Sequence, residues 1–190
     1  MRQLILASSS PRRQELLLSM GVAFQVAAPD VDEGMDGLPE DVVKALASKK
    51  AQAAAQLRPG NIILSADTLV FAAGESLGKP RDRVDAKRML RLLSGTWHEV
   101  YTGVCLLADD VSLIESAKTD VRFSALSPDE IDWYCDSGEP MGKAGAYAIQ
   151  GLGGMFVEEI RGNYHNVVGL PTSLVRTMLR SIAYPIMGRE

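Results

Sequence analysis

Several runs of residues in this chain could do chemistry on an anion. In Ser8-Ser9-Ser10-Pro11-Arg12-Arg13, hydroxyls lead into a helix start. The first turn of a helix directs unpaired backbone N–H groups and a positive dipole end outward, so the turn suits a phosphate. Arg12 and Arg13 sit where cations oppose that dipole, which costs roughly 0.3 kcal/mol or more unless an anion joins them. Two solvated arginines would be the plainer account of the same residues.

Asp67 interrupts an otherwise apolar run, Asn61-Ile62-Ile63-Leu64-Ser65-Ala66-Asp67-Thr68-Leu69-Val70. A buried, unpaired carboxylate is costly, so Asp67 is expected to be salt-bridged, metal-bound or at the edge of a cleft. Upstream, Val43, Leu46, Ala47, Lys50 and Ala54 recur at three- and four-residue spacing, which puts Lys50 on an inward stripe and turns Lys49 away. A lysine snorkelling its ammonium to water would satisfy the same pattern. Glu33, in an acidic loop, could join Asp67 in holding a hard cation such as Mg²⁺, which takes one or two carboxylates plus substrate phosphates. Lys79, in Gly78-Lys79-Pro80-Arg81-Asp82, lies in a tight turn.

Other chemistries lack their residues. Two histidines, His98 and His165, are too few for a His-rich zinc site, and no G-x-S-x-G elbow accompanies either. Gly151-Leu152-Gly153-Gly154 has no G-K-[ST] ending and no following helix, so it reads as a turn. Just before it, small residues around Tyr147 and Gln150 would let a planar ring approach the backbone.

The elements that must hold these residues alternate in type. Leu4 to Ala7 reads as a buried strand. Pro11 to Met20 reads as a helix with Ser10 as N-cap and Gly21 past its end. A strand at Val22–Ala27 and a loop from Asp30 to Pro39 lead to a helix over Glu40–Leu57, then a strand over Asn61–Ala72. A helix over Asp85–Leu93 precedes two long strands, His98–Ala108 and Ser112–Ser124, paired across Asp109-Asp110. Ser127-Pro128-Asp129-Glu130 has capping-box spacing and opens a helix to about Cys135. Strands near Ala146–Ile149 and Met155–Ile160 and a helix over Pro171–Ile182 complete the chain. Hairpins beside crossover helices predict an α/β protein with a mixed sheet.

With 190 residues and 46% hydrophobic content, the chain can bury one sizeable core or two small lobes. A net charge of −4 argues against nucleic acid as a partner. The basic segments also lack the aromatic residues that stack single-stranded bases. No apolar run is long enough to span a membrane, the start is too short for a signal peptide, and Cys105 and Cys135 are spaced as packing thiols. A cytoplasmic protein is expected.

Taken in series, Ser8-Ser9-Ser10-Pro11-Arg12-Arg13, Ala66-Asp67-Thr68, Lys79-Pro80-Arg81-Asp82, Ser137-Gly138-Glu139-Pro140, Lys143-Ala144-Gly145-Ala146-Tyr147 and Ile149-Gln150-Gly151 resemble the Maf family of nucleoside triphosphate pyrophosphatases. The resemblance runs over nearly the whole chain, with Ser9 standing where relatives often carry Gly. It implies one Maf-like domain over residues 1–190, elongated, with two lobes around a central cleft, similar to the inosine triphosphate pyrophosphatases and commonly a homodimer. By motif position, Asp67 corresponds to the group that activates water, with Glu33, Lys50 and Lys79 also in the catalytic set. The resemblance further implies that Ser8, Arg13, Lys50 and Lys79 contact the triphosphate and that Glu33 and Asp67 hold Mg²⁺ or Mn²⁺.

The resemblance also points to a branch. Arg12, Thr68 and Gln150 match the members acting on dTTP and UTP, where members acting on 7-methyl-GTP tend to carry Trp, Gln and Glu. The physical sense is direct: a cationic methylated guanine suits an aromatic face and a carboxylate, whereas a neutral pyrimidine suits an amide that both donates and accepts. The implied role is house-cleaning hydrolysis to the monophosphate and pyrophosphate. Metal would neutralise the phosphates while Asp67 orients a water toward the α-phosphorus. A nucleotide-sensing regulator of septum formation, without obligatory turnover, is the alternative that the same pocket would serve.

Overall fold

The computed structural model describes residues 2–186. Its elements follow in the order β1 (Leu4–Leu6), α1 (Pro11–Ser19), β2 (Gln25–Val26), α2 (Pro39–Leu57), β3 (Ile62–Ala72), β4 (Glu75–Leu77), α3 (Arg83–Leu93), β5 (Trp97–Ala108) and β6 (Val111–Phe123). Then come α4 (Pro128–Asp136), two 3-10 turns (Ala144–Ala146 and Leu152–Phe156), β7 (Val157–Arg161), α5 (Tyr164–Val168) and α6 (Thr172–Ser181). The sheet has seven strands in the order β2-β1-β3-β5-β6-β7, with β4 paired to β3. It is mixed, as expected: β1 is parallel to both β2 and β3, whereas β3–β4 and β6–β7 are antiparallel.

The chain divides into two compact units, and β3, β5 and β6 each contribute residues to both. Within the described residues, the first unit comprises residues 2–67, Thr102–Ala117 and residues 169–186. Its core joins Ile5, Ala7 and Ile63 to Ala47, Ala51 and Ala54 of α2 and to Cys105. The alanines let α2 lie close on the sheet. Ser65 Oγ donates to the Ala47 carbonyl at 2.5 Å, and a Cβ on Gly103 would come within 2.2 Å of the Val43 carbonyl oxygen. Pro39 at the start of α2 and the acidic first turn of Glu40 and Asp41 suit the helix N-terminus.

The second unit comprises Thr68–Tyr101 and Lys118–Val168. Its core gathers Leu77, Leu90, Leu93, Phe123, Ile131, Tyr134, Tyr147 and Phe156, all buried. Each such side chain is worth roughly 1.5–3 kcal/mol relative to exposure. The rings meet edge to face, Phe123 on Tyr147 at 4.8 Å and Tyr134 on Phe156 at 5.2 Å between centroids. The capping box of α4 forms as the spacing predicts: Glu130 N donates to Ser127 Oγ, and Ser127 N donates to Glu130 Oε2 at 2.7 Å.

Two expectations need correction. The strand over Ala146–Ile149 does not form, because Gly145 and Ala146 both take left-handed backbone angles, φ 68 and 59, which curl the chain into a 3-10 turn. The strand over Val22–Ala27 shrinks to Gln25–Val26 because its partner β1 is itself only three residues long. Ser10 is the N-cap residue and Pro11 opens α1, as expected, although the Ser10 side chain makes no capping hydrogen bond. The short strand β4 and the short helix α5 were not anticipated. Of the rest, Gly21 follows α1 at φ 69, as a C-terminal glycine should.

Candidate functional site

In the first unit, β1 delivers the chain to Ala7-Ser8-Ser9-Ser10, and α1 begins immediately after. Ser8 is buried, and its Oγ accepts two hydrogen bonds, from Ser10 N at 3.2 Å and from Arg13 Nη1 at 3.1 Å. Arg13 Nε donates to the Gly169 carbonyl at 2.8 Å. These two bonds aim the guanidinium back at the turn that precedes its own helix. Burial lowers the Arg13 pKa below its ordinary value, the Asp67 carboxylate works against that shift, Arg12 adds to it and Glu33 offsets it. Arg13 therefore sits in the field of both carboxylates.

Those carboxylates meet on a single ammonium. Lys50, presented by α2, donates from Nζ to Asp67 Oδ1 at 2.6 Å and to Glu33 Oε1 at 2.6 Å. The Lys50 and Asp67 side chains are 12% and 11% exposed, while that of Glu33 is 45% exposed. Of the alternatives open to a carboxylate in an apolar strand, Asp67 takes the ion pair, and Lys50 lies inward as its spacing predicts. Lys49 donates to the Asp32 carbonyl at 2.6 Å, which holds the acidic loop against α2.

Asp67, Glu33, Lys50 and Arg13 balance in charge, two negative and two positive. Two carboxylate oxygens converging on one Nζ form an oxygen-only donor pair, the kind a hard divalent cation takes when phosphates complete its shell. No cluster of three or more His, Cys, Asp or Glu with metal-binding spacing occurs among the described residues.

The remaining candidates fall in different places. Arg12 is half-buried in the first turn of α1, beside Arg13. Thr68, Lys79 and Gln150 belong to the second unit. Because β4 runs antiparallel to β3 with Leu77 opposite Val70, Lys79, two residues beyond Leu77, emerges at the Thr68 end of β3. The turn carrying Lys79 is fixed by Asp85, whose Oδ2 accepts from Arg81 N and Arg81 Nε, both at 3.2 Å. That backbone bond, outweighing burial together with the bonds from Arg88 and Arg81, holds the Asp85 carboxyl below its usual range. Gly145 N donates to the Gly78 carbonyl at 3.1 Å and ties this turn to the segment leading to Gln150. Gln150 is exposed in a turn closed by Gly151 N on the Ala148 carbonyl at 3.2 Å.

Two participants were missed from the sequence. Gly169 acts through a backbone carbonyl, which no residue type signals. Asp85 is one of many acidic residues in a helical first turn.

A family model described as "Maf-like protein" matches residues 3–182. A dTTP/UTP pyrophosphatase of Symbiobacterium thermophilum is 51% identical over 188 residues, covering 98% of this chain and 97% of that protein. One from Anaeromyxobacter dehalogenans is 50% identical over 97% of this chain and 96% of its own, and one from Bacillus anthracis 49% identical over 94% and 95%. Among solved structures, the Staphylococcus aureus Ham1 protein aligns with a TM-score of 0.44 at 14% identity, over 64% of this chain and 72% of that one. That likeness is too slight to bear on chemistry.

Proposed function

The chain belongs to the Maf-like protein family, and on that footing we propose that it hydrolyses dTTP and UTP to the monophosphate and pyrophosphate. The observation that carries the reading is the convergence of Asp67 and Glu33 on Lys50, beside the part-buried Ser8–Arg13 pair. The enzyme names of the relatives favour turnover over a nucleotide sensor of septum formation.

In this reading Ser8, Arg13 and Lys79 bind triphosphate oxygens, and Lys50 both orients Asp67 and meets charge developing in the transition state. Asp67 accepts the proton of a water attacking the α-phosphorus, and pyrophosphate leaves. A triphosphate brings more negative charge than Arg13 and Lys79 offset, and the Glu33 and Asp67 carboxylates are the residues that would hold a divalent cation. Such a cation supplies charge neutralisation on the phosphates. Arg12, Thr68 and Gln150 select the base, with the Gln150 amide able to donate and accept toward a pyrimidine edge. A homodimer engaged in cytoplasmic house-cleaning completes the reading. No helix among the described residues is long and apolar enough to cross a membrane.

The test is a panel of nucleotides, including dTTP, UTP and 7-methyl-GTP, with pyrophosphate and orthophosphate release measured separately in the presence of Mg²⁺. Pyrophosphate from dTTP and UTP is the expected result. Orthophosphate alone would refute cleavage between the α and β phosphorus atoms, and preference for 7-methyl-GTP would overturn the branch.

A further inference from the structure

Gln150 is exposed, yet the turn that presents it is held from beneath by side chains to which no role has been given. Glu139 reaches under the turn from the Ser-Gly-Glu-Pro loop. Its Oε2 accepts from Leu152 N at 3.0 Å and its Oε1 accepts from Gly153 N at 2.9 Å. Tyr134, buried at the end of α4, donates from its hydroxyl to Glu139 Oε1 at 2.8 Å and accepts from Ala148 N at 3.1 Å. One carboxylate and one phenol thus bind backbone amides on both sides of Gln150, at 148, 152 and 153.

The fit is close. A Cβ on Gly153 would lie 2.5 Å from the Tyr134 hydroxyl, so only glycine lets the backbone come down onto it. The Glu139 carboxylate is only partly exposed. Burial pushes its pKa up, but the Gly153 and Leu152 amides, the Tyr134 hydroxyl and the charge of Lys143 outweigh this and hold it below the usual carboxylate range. Lys143 Nζ also donates to the Glu139 carbonyl at 2.6 Å, pinning the loop that carries the carboxylate. A neutral polar side chain in place of Glu139 would set an N–H against an amide N–H or leave one amide unmatched.

We propose that Glu139 and Tyr134 are positioning residues for base selection: they fix the Ala148–Gly153 turn so that Gln150 meets the substrate base in one orientation. The proposal rests on Gln150 selecting the base. It assigns the acidic residue of the Ser-Gly-Glu-Pro motif to specificity rather than to phosphate or metal chemistry. Loosening the turn leaves the phosphate-binding residues of the first unit intact, so the loss falls on discrimination and on KM rather than on kcat.

The experiment measures kcat and KM of Glu139→Gln, Tyr134→Phe and Gln150→Ala on dTTP, UTP and 7-methyl-GTP. Tyr134→Phe keeps the buried ring and removes only the hydroxyl, so it serves where Glu139→Gln folds poorly; near-ultraviolet circular dichroism checks folding. The expected result is that both positioning variants raise KM for dTTP and UTP. They should also reduce the dTTP to 7-methyl-GTP ratio of kcat/KM by about tenfold, the scale of one lost hydrogen bond, with kcat changed far less. If Gln150→Ala lowers the ratio while Glu139→Gln and Tyr134→Phe leave it intact, or lower kcat equally on all nucleotides, the proposal is overturned and the reading of Gln150 stands. An unchanged ratio in Gln150→Ala would overturn both.

Discussion

Lys50 Nζ lies 2.6 Å from Asp67 Oδ1, with both side chains almost wholly withdrawn from water. The pairing makes each residue depend on the other, since a single charge left at that depth has no solvent to stabilise it. Lys50→Met should therefore lower unfolding free energy at neutral pH by roughly 3 kcal/mol, the cost of breaking a buried pair at one end. The double variant Lys50→Met with Asp67→Asn should recover most of that loss. Urea unfolding of the parent, the two single variants Lys50→Met and Asp67→Asn and the double variant measures the coupling; additive effects would mean that the pair contributes nothing.

Asp67→Asn keeps the shape of the side chain and removes its ability to take a proton. Turnover of dTTP should fall by at least ~10²-fold, in the range for a lost general base, with the circular dichroism spectrum unchanged. Near-normal pyrophosphate release from this variant would remove Asp67 from the role of base.

Glu33 shares Lys50 with Asp67 but is far more exposed, so it can turn to a cation at smaller cost. Chelation should abolish pyrophosphate release, and added Mg²⁺ should restore it. Glu33→Gln should raise the Mg²⁺ concentration for half-maximal rate by about tenfold or more, the scale seen when support for a metal site is lost. An unaltered Mg²⁺ dependence would exclude Glu33 as a ligand.

Arg12 stands beside Arg13, which is anchored on Ser8 and Gly169, so the two adjacent arginines can serve different ends. Arg12→Trp should shift preference toward 7-methyl-GTP by about 2- to 30-fold in kcat/KM, the range of a cation–π contact. An equal loss on every nucleotide would place Arg12 with the phosphates instead.

His98 is buried against Phe123 and Tyr147, with Nε2 2.9 Å from the Tyr147 hydroxyl, and burial lowers its pKa from 6.5 to about 4. Below pH 6.5 the unfolded chain binds a proton that the folded protein refuses. The contribution is therefore complete above pH 6.5 and is lost as pH falls toward 4, by roughly 3 kcal/mol at ~1.36 kcal/mol per pH unit. His98→Leu should flatten the fall in Tm between pH 6.5 and 4 relative to the parent protein. Parallel curves for the two proteins would show that His98 does not drive it.

Local chemistry was enough to read most of the elements and several of the site's residues. Spacing in Val43–Ala54 put Lys50 inward, the Ser127–Glu130 interval foretold the capping box, and Asp67 in an apolar run demanded a partner. Each of these signals lies within a few residues of chain, where periodicity and capping act. What Asp67 pairs with was beyond their reach, because Glu33, Lys50 and Asp67 are brought together only when α2 packs on β3. The curl at Gly145–Ala146 was likewise invisible, since residues with small side chains are compatible with either a strand or a turn. Nor could any motif show that Glu139 turns its carboxylate onto the amides of Leu152 and Gly153. The sequence determined which residues carry charge and which faces are apolar; the tertiary structure alone decided which charges meet, because that depends on packing between segments far apart in the chain.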